Sequence, residues 1–321
     1  MAVDVSVVIS TYNRCTVLAR ALQALLRQQA NEMSYEILVI DNNSSDQTRD
    51  LVQGLITKYP EKLRYIFEPQ QGLSYARNTG IANARAPIIA FTDDDVCVAS
   101  DWIAQIKACL DSDPSTDAVG GKVLPRWESQ PPAWLTRSHW APLALLDYGD
   151  HSFYVDMDRQ LSLIGANVAF RLKAFEVIGL FKPDLQRVKD GIGSLEDHDM
   201  LLRLWRSGRK GSYLPQLIVT AEVPPERLQK DYHRRWHAGH GFFHAMLRTE
   251  EVERSKRGHF LGVPAHIYRQ ALSDGAKWIV SGLQKQPIEA FEHEIRLRFI
   301  TGFVRKRWRD FFGFLRPSSY S

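Results

Sequence analysis

Residues 87–95 read Pro-Ile-Ile-Ala-Phe-Thr-Asp-Asp-Asp, an apolar run of strand length that ends abruptly in three consecutive carboxylates. In extended geometry alternate side chains share a face, so Asp93 and Asp95 project together. Two bare carboxylates about 4 Å apart repel by roughly 4 kcal/mol at an effective dielectric near 20. A hard divalent ion such as Mg²⁺ or Mn²⁺ removes that repulsion, taking one or two carboxylates together with the oxygens of a substrate phosphate. The plainer reading is an acidic turn ahead of the helix that follows Ser100.

Working outward, the first 110 residues alternate as a parallel sheet requires. Residues 5–10 form a continuous apolar strand, and Thr16 is placed to cap a helix carrying Val17, Leu18, Ala21, Leu22, Leu25 and Leu26. Strands over 36–40, 63–67 and 88–92 and helices over 46–59 and 73–84 extend the β-α-β pattern into an α/β half-sheet. In such sheets ligands bind beyond the carboxyl ends of the strands. Those ends read Ser10-Thr11-Tyr12-Asn13, Asp41-Asn42-Asn43 and Asp93-Asp94-Asp95, so polar groups collect along one edge. Neither a dinucleotide G-x-G-x-x-G nor a P-loop follows the first strand. Tyr12 instead offers an aromatic face for a base, its neighbours offer hydroxyls, and Asp41 can accept from a base N–H.

Composition sets outer bounds. With 321 residues, 44% hydrophobic and 24% charged, the chain can bury the core of one large or two modest domains, and disorder is excluded. Cys15, Cys97 and Cys109 form no C-x-x-C pair and no even framework, which argues against disulfide scaffolding and a thiolate zinc site and fits a reducing cytoplasm. The first residues lack the features of a signal peptide, and no apolar stretch approaches the ~18 residues that cross a bilayer. A protein neither exported nor membrane-spanning is expected. Charge is uneven: residues 1–222 hold 23 Lys and Arg against 27 Asp and Glu, whereas 223–321 hold 18 against 10. Basic tails of this kind meet nucleic acid, anionic lipid or phosphorylated ligands.

Four blocks in order, VSVVISTYNR, EILVIDNNSSDQT, GLSYARNTGIANARAPIIAFTDDD and LEDHDMLLRLWRSG, resemble glycosyltransferase family 2, the inverting enzymes with the GT-A fold. The resemblance spans residues 3 to about 240. It implies an α/β, Rossmann-like nucleotide-sugar fold with a mixed central sheet over 1–222, the nucleotide half to about 120 and the acceptor half after it, and a helical basic extension over 223–321. It places the donor, a nucleoside-diphosphate sugar and foremost a UDP-sugar, on Ser10, Thr11, Tyr12, Asp41, Arg77, Asp93 and Asp94. Asp93 and Asp95 would hold Mn²⁺ or Mg²⁺. Asp197 would be the general base with Glu196 orienting the site, and Asn167 and Trp134 would meet a saccharide or lipid-linked acceptor, in polysaccharide or cell-envelope glycan synthesis.

The residues carry other readings beside this one. Arg77 could be an exposed helical cation. Ser194 with Asp197 makes an S-x-x-D capping pattern, although the three acids at 196, 197 and 199 exceed what a cap needs, and Asp199 with Arg203 reads as an i, i+4 ion pair. Processive relatives carry Gln-x-x-Arg-Trp where this chain has Tyr232-His-Arg-Arg235-Trp236, which favours transfer of a single sugar. Relatives often have histidine where Ala221-Glu222 stand, which leaves the third protein ligand of the metal open. A nucleotidyltransferase would show a glycine-rich basic loop after the first strand, and a non-catalytic sugar binder would have lost the acids at 93–95 or at 197.

Three segments stay divided. Trp127, Trp134 and Trp140, in the proline-rich connection 125–151, either stack on an acceptor sugar or fasten the loop to the core. His233, His237, His240 and His244 recur at helical spacing, but no acid or cysteine completes a zinc set and a phosphate-facing basic patch is simpler. Residues 295–315 mix apolar and basic side chains either as an interfacial helix, with Phe299, Phe303, Trp308, Phe311, Phe312 and Leu315 entering lipid, or as a helix packed on the protein. No RNA-recognition signature accompanies the charge, so nucleic acid is not expected.

Overall fold

The computed structural model describes residues 2–29, 33–186, 195–248 and 258–314. They form two compact units, one from segments within 1–130, 143–189 and 196–224, the other from segments within 131–142, 190–195 and 225–321.

The first unit is built on a nine-stranded mixed sheet. Strands β1 (Val5–Thr11), β2 (Tyr35–Asp41), β3 (Leu63–Phe67) and β4 (Ile88–Asp93) are parallel in the order β3-β2-β1-β4. β2 is buried along its whole length and β1 nearly so. Their runs of Val, Ile and Leu are therefore continuous rather than alternating, as strands covered on both faces require. The sheet continues through β5 (Val96–Val98), β6 (Thr116–Trp127), β7 (Phe153–Val155), β8 (Val168–Arg171) and β9 (Lys210–Val223). β8 runs antiparallel between β4 and β6, and β9 pairs parallel with β6 and antiparallel with β5 and β7.

Helices α1 (Cys15–Leu26), α2 (Thr48–Ile56), α3 (Leu73–Asn83), α4 (Trp102–Ser112), α5 (Ala174–Ile178) and α6 (Glu196–Arg206) complete the unit. Thr16 does not cap α1. The helix begins one residue earlier, and Asp46, from the loop after β2, accepts the Cys15 N–H at 3.0 Å while also accepting the Thr48 N–H at the start of α2. One carboxylate thus satisfies orphan donors at two helix starts.

The second unit is helical: α7 (Lys230–Leu247), α8 (Ala265–Leu283) and α9 (Pro287–Phe314), with a short hairpin of β10 (His259–Phe260) and β11 (Val263–Pro264). Ala245, Val263, Ile267, Ile300 and Phe303 make its core, with Phe299 packed against it. α7 and α9 touch backbone to backbone: a Cβ added at Gly241 would overlap the Phe299 carbonyl, and one at Gly302 the Ala238 carbonyl. Glycine is needed there for approach, at a cost in helix propensity. This packing divides the residues named for 295–315 between the interior and the surface. Phe299 and Phe303 face the interior, Arg307 is buried and donates to the Gly262 carbonyl at 3.0 Å, and only Trp308, Phe311 and Phe312 of that set are exposed. Leu315 lies outside the described residues.

Trp134 and the histidine row meet in this unit. The Trp134 ring packs edge-on against His139, His233 and Phe291, with centroids 5.4, 5.0 and 4.9 Å away, and His240 stacks on Trp236 at 4.3 Å. No cluster of three metal-ligating side chains occurs among the described residues. Burial pushes the His233 and His237 rings down to about 4 from an ordinary 6.5. Between those values the unfolded chain binds more protons than the folded one, so stability falls as pH falls from about 6.5 toward 4. The melting temperature should therefore drop between pH 7.5 and 5.5, and His233→Phe, which fills the aromatic cage without titrating, should flatten that drop. An identical pH slope in the variant would refute the assignment.

Candidate functional site

The register of the parallel strands assembles the sheet edge. Thr11 pairs with Asp41 and Ser10 with Asp93, so the ends of β1, β2 and β4 lie level. Tyr12, just past β1, is 39% exposed, its ring open for stacking. Asn13 and Asn43 both adopt positive φ, 53° and 67°, a conformation asparagine tolerates better than most residues. The loops they shape are tied together: Asn13 N–H donates to Ser44 Oγ at 2.9 Å, and Ser45 N–H to Asn13 Oδ1 at 2.7 Å. Asp41 is buried, accepting from the Ser44 N–H at 2.9 Å and the Tyr65 hydroxyl at 2.7 Å. Burial, reinforced by that carboxylate, pushes the Tyr65 hydroxyl up to about 12.

The three aspartates take different surroundings. Asp94 is buried, accepts from Thr11 Oγ1 at 2.8 Å and pairs with Arg14 at 2.6 Å. Burial raises its carboxyl above the usual range, Arg14 opposes that rise, and Asp95 and Asp93 add to it. Asp95 pairs with the same guanidinium at 3.1 Å, and Asp93, with its side chain about one third exposed, lies 3.6 Å from Arg77. Glu222 approaches this edge only through its backbone, donating its N–H to the Asp95 carbonyl at 3.0 Å. Its side chain turns to Arg20 at 2.5 Å and Arg126 at 3.7 Å. The donors at Asp93 and Asp95 are carboxylate oxygens alone, which suits a hard divalent ion whose shell is completed by phosphate oxygens rather than by further side chains.

Arg77 joins this edge to α6. The residue is on α3, yet it is buried rather than on the helix surface, and its guanidinium lies over the Phe181 ring at 5.3 Å. It reaches Asp197 at 2.5 Å, Glu196 at 3.2 Å and Asp93 at 3.6 Å. These carboxylates hold its charge against the cost of burial. Asp197 also accepts the Gly165 N–H at 2.9 Å, and its side chain stays 26% exposed. Asp199 forms the expected pair with Arg203 at 2.7 Å and a second with Lys182 at 3.1 Å. Ser194 lies outside the described residues.

Asn167 does not face a ligand. It is fully buried, accepts from the Trp102 indole at 2.7 Å and donates to the Lys122 and Leu217 carbonyls at 2.9 Å each, so its amide is spent joining α4, β6 and β9. Trp134 belongs to the aromatic cluster of the helical unit. Sequence reading missed Arg14, Asn42 and Gly165. Asn42 anchors the following loop by accepting the Gly72 N–H at 2.7 Å and donating to the Gln70 carbonyl at 2.6 Å. Arg14 stands in the STYNR block just past β1, but its carboxylate partners lie 80 and 81 residues on. At Gly165 an added Cβ would overlap the guanidinium of Arg77 and crowd both oxygens of Asp197.

The profile of glycosyl transferase family 2 matches residues 6–179, more than half of the chain. The chain belongs to glycosyl transferase family 2. Glycosyltransferase AglE of Haloferax volcanii is 35% identical over 119 residues, 37% of this chain and 39% of that protein. The succinoglycan biosynthesis protein ExoM of Rhizobium meliloti is 29% identical over 126 residues, 37% of this chain and 40% of that protein. These matches thus span about two fifths of the relatives' own length. Among solved structures, the mannosyltransferase PcManGT of Pyrobaculum calidifontis, in complex with GDP-Man and Mn²⁺, superposes with a TM-score of 0.65 over 95% of this chain and 87% of that one, at 18% identity, which establishes a shared fold. The mixed sheet of this family 2 member is accordingly of the GT-A kind.

Removing one partner of a buried charge cluster leaves the others uncompensated, typically at about 3–5 kcal/mol. Arg77→Ala should therefore destabilise the first unit by roughly that amount, measured by urea unfolding, and a loss below about 1 kcal/mol would contradict the burial of its charge. Gly165→Ala should likewise lower the melting temperature, because the methyl group displaces the buried Arg77 guanidinium from its carboxylates, and an unchanged melting temperature would contradict that close approach.

Proposed function

We propose that this family 2 member transfers a single sugar from a nucleoside-diphosphate sugar, foremost a UDP-sugar, to a hydroxyl of a saccharide or lipid-linked acceptor, with inversion and with the help of a divalent cation. The observation that carries the reading is the contact of one buried guanidinium with both Asp93, at the strand end, and Asp197, at the start of α6. The Mn²⁺ in the PcManGT complex supports the metal, and the sequence resemblance supports the uridine nucleotide.

In this reading Tyr12 stacks on the base, Asp41 lies beside it, and Asp93 and Asp95 hold the cation. When bound, the cation neutralises charge building on the departing diphosphate. Asp197 takes the proton of the acceptor hydroxyl. Its orientation is imposed from two sides, by Arg77 and by the Gly165 N–H, while its exposed part remains open to the acceptor. A carboxylate is a weak base toward an alcohol. The proton therefore moves late, as attack develops, and positioning supplies much of the rate. Attack on the face opposite the leaving group inverts the anomeric carbon in one displacement.

Asp197→Asn keeps the shape of the site but cannot accept the proton. Transfer should fall by at least about 10²-fold, while donor-induced thermal stabilisation persists. Near wild-type turnover would move the base to another carboxylate. EDTA should abolish transfer and added Mn²⁺ or Mg²⁺ restore it, and UDP should stabilise the chain more than GDP in the presence of metal. Full activity in chelator defeats the metal assignment, and a product of retained configuration defeats the single displacement.

A further inference from the structure

The helical unit carries a cleft of about 420 Å³ between α7 and α9, lined by Arg234, Arg235, Arg298 and Arg305 together with Phe242 and Thr301. It flanks the crossing where Gly302 brings the two backbones together. Its charges are incompletely answered. Arg234 donates twice to Glu294, at 2.7 and 2.9 Å, Arg298 shares that carboxylate at 3.3 Å, and Arg235 lies 3.4 Å from Asp231 with both side chains largely in solvent. Arg305 bonds to no other described residue and is exposed. Four guanidinium groups thus face two carboxylates.

The Arg235–Asp231 pair, exposed on both sides, contributes little and leaves its guanidinium open, like that of Arg305, to a stronger ligand. A guanidinium presents a planar fork of N–H donors that matches phosphate oxygens two at a time. The volume falls in the ~300–1,000 Å³ range of small-molecule sites, enough for a phosphate group and part of the alcohol it esterifies. One turn further along α9, Trp308, Arg309 and Phe312 line a second hollow of about 280 Å³. Exposed Trp308 and Phe312 on the same side of α9 as Arg305 and Arg309 suit contact with anionic lipid.

We propose that the cleft between α7 and α9 is a binding site for a phosphate ester, the headgroup of an anionic lipid or a soluble diphosphate. The site goes beyond the transfer reaction and does not rest on it, since binding is measured in EDTA without turnover. The full chain is tested by flotation with phosphatidylcholine vesicles with and without phosphatidylglycerol, and by calorimetric titration with inorganic diphosphate, against Arg298→Gln/Arg305→Gln. Binding to the anionic vesicles only, weakened about tenfold or more in the double variant, as loss of one charge-assisted hydrogen bond already predicts, identifies a lipid headgroup. Diphosphate binding lost in the variant, with neither chain floating, identifies a soluble ligand. Arg305→Gln alone, at a side chain that supports no other described residue, guards against a folding defect and should show part of the loss. Unchanged affinity of the double variant for both probes, or no binding of either probe by the native chain, overturns the proposal.

Discussion

A guanidinium that cannot shed its proton, buried under the edge of the sheet, dictates much of what surrounds it. Arg77 is admitted to the interior only because Asp93, Glu196 and Asp197 come within reach, and each of those carboxylates is in turn tolerable there because of Arg77. Three stretches far apart in the chain are thereby held at one point: the last residue of β4, the middle of α3 and the first turn of α6. The arrangement sacrifices stability that an apolar cluster of the same volume would supply. In return it gives a defined geometry to carboxylates that would otherwise repel.

The parallel half of the sheet was legible because its signal is redundant. Each of β1, β2 and β4 is a short apolar run followed at once by polar residues, and a register in which those ends coincide is the one that buries every run. The site was legible to the extent that it sits on those ends. Arg77 was ambiguous, since a cation on a helix has the same local pattern whether solvent or an acid cluster meets it. Asn167, placed at the acceptor by the resemblance, is instead fully buried, and the partners that hold it there come from residues 102, 122 and 217, which its local sequence does not reveal. Helix starts were read from local caps, and α1 takes its carboxylate from Asp46, 31 residues on.

The helical unit was harder, because amphipathic periodicity shows that a helix has two faces but not which element covers either. Phe299 and Phe303 pack inward because glycines at 241 and 302 draw α7 and α9 together, a pairing that local pattern does not encode. The histidine row shows the same limit. Spacing of four, three and four fits metal ligation and aromatic packing equally, and the deciding partners, Trp134 and Phe291, lie about a hundred residues before and sixty residues after His233.

The mutual ties between the loops after β1 and β2 bear on how a ligand is met. Asn13, Ser44 and Ser45 hold each other through backbone groups, and Asn42 extends the same hold to Gly72. Ordering these loops is thus a cost borne when the chain folds, not when a ligand arrives. Docking onto such a surface resembles filling a mould that has already set. Selectivity among ligands at this edge then follows from shape and complementarity at the rim, because little loop rearrangement is left to accommodate a poorer fit.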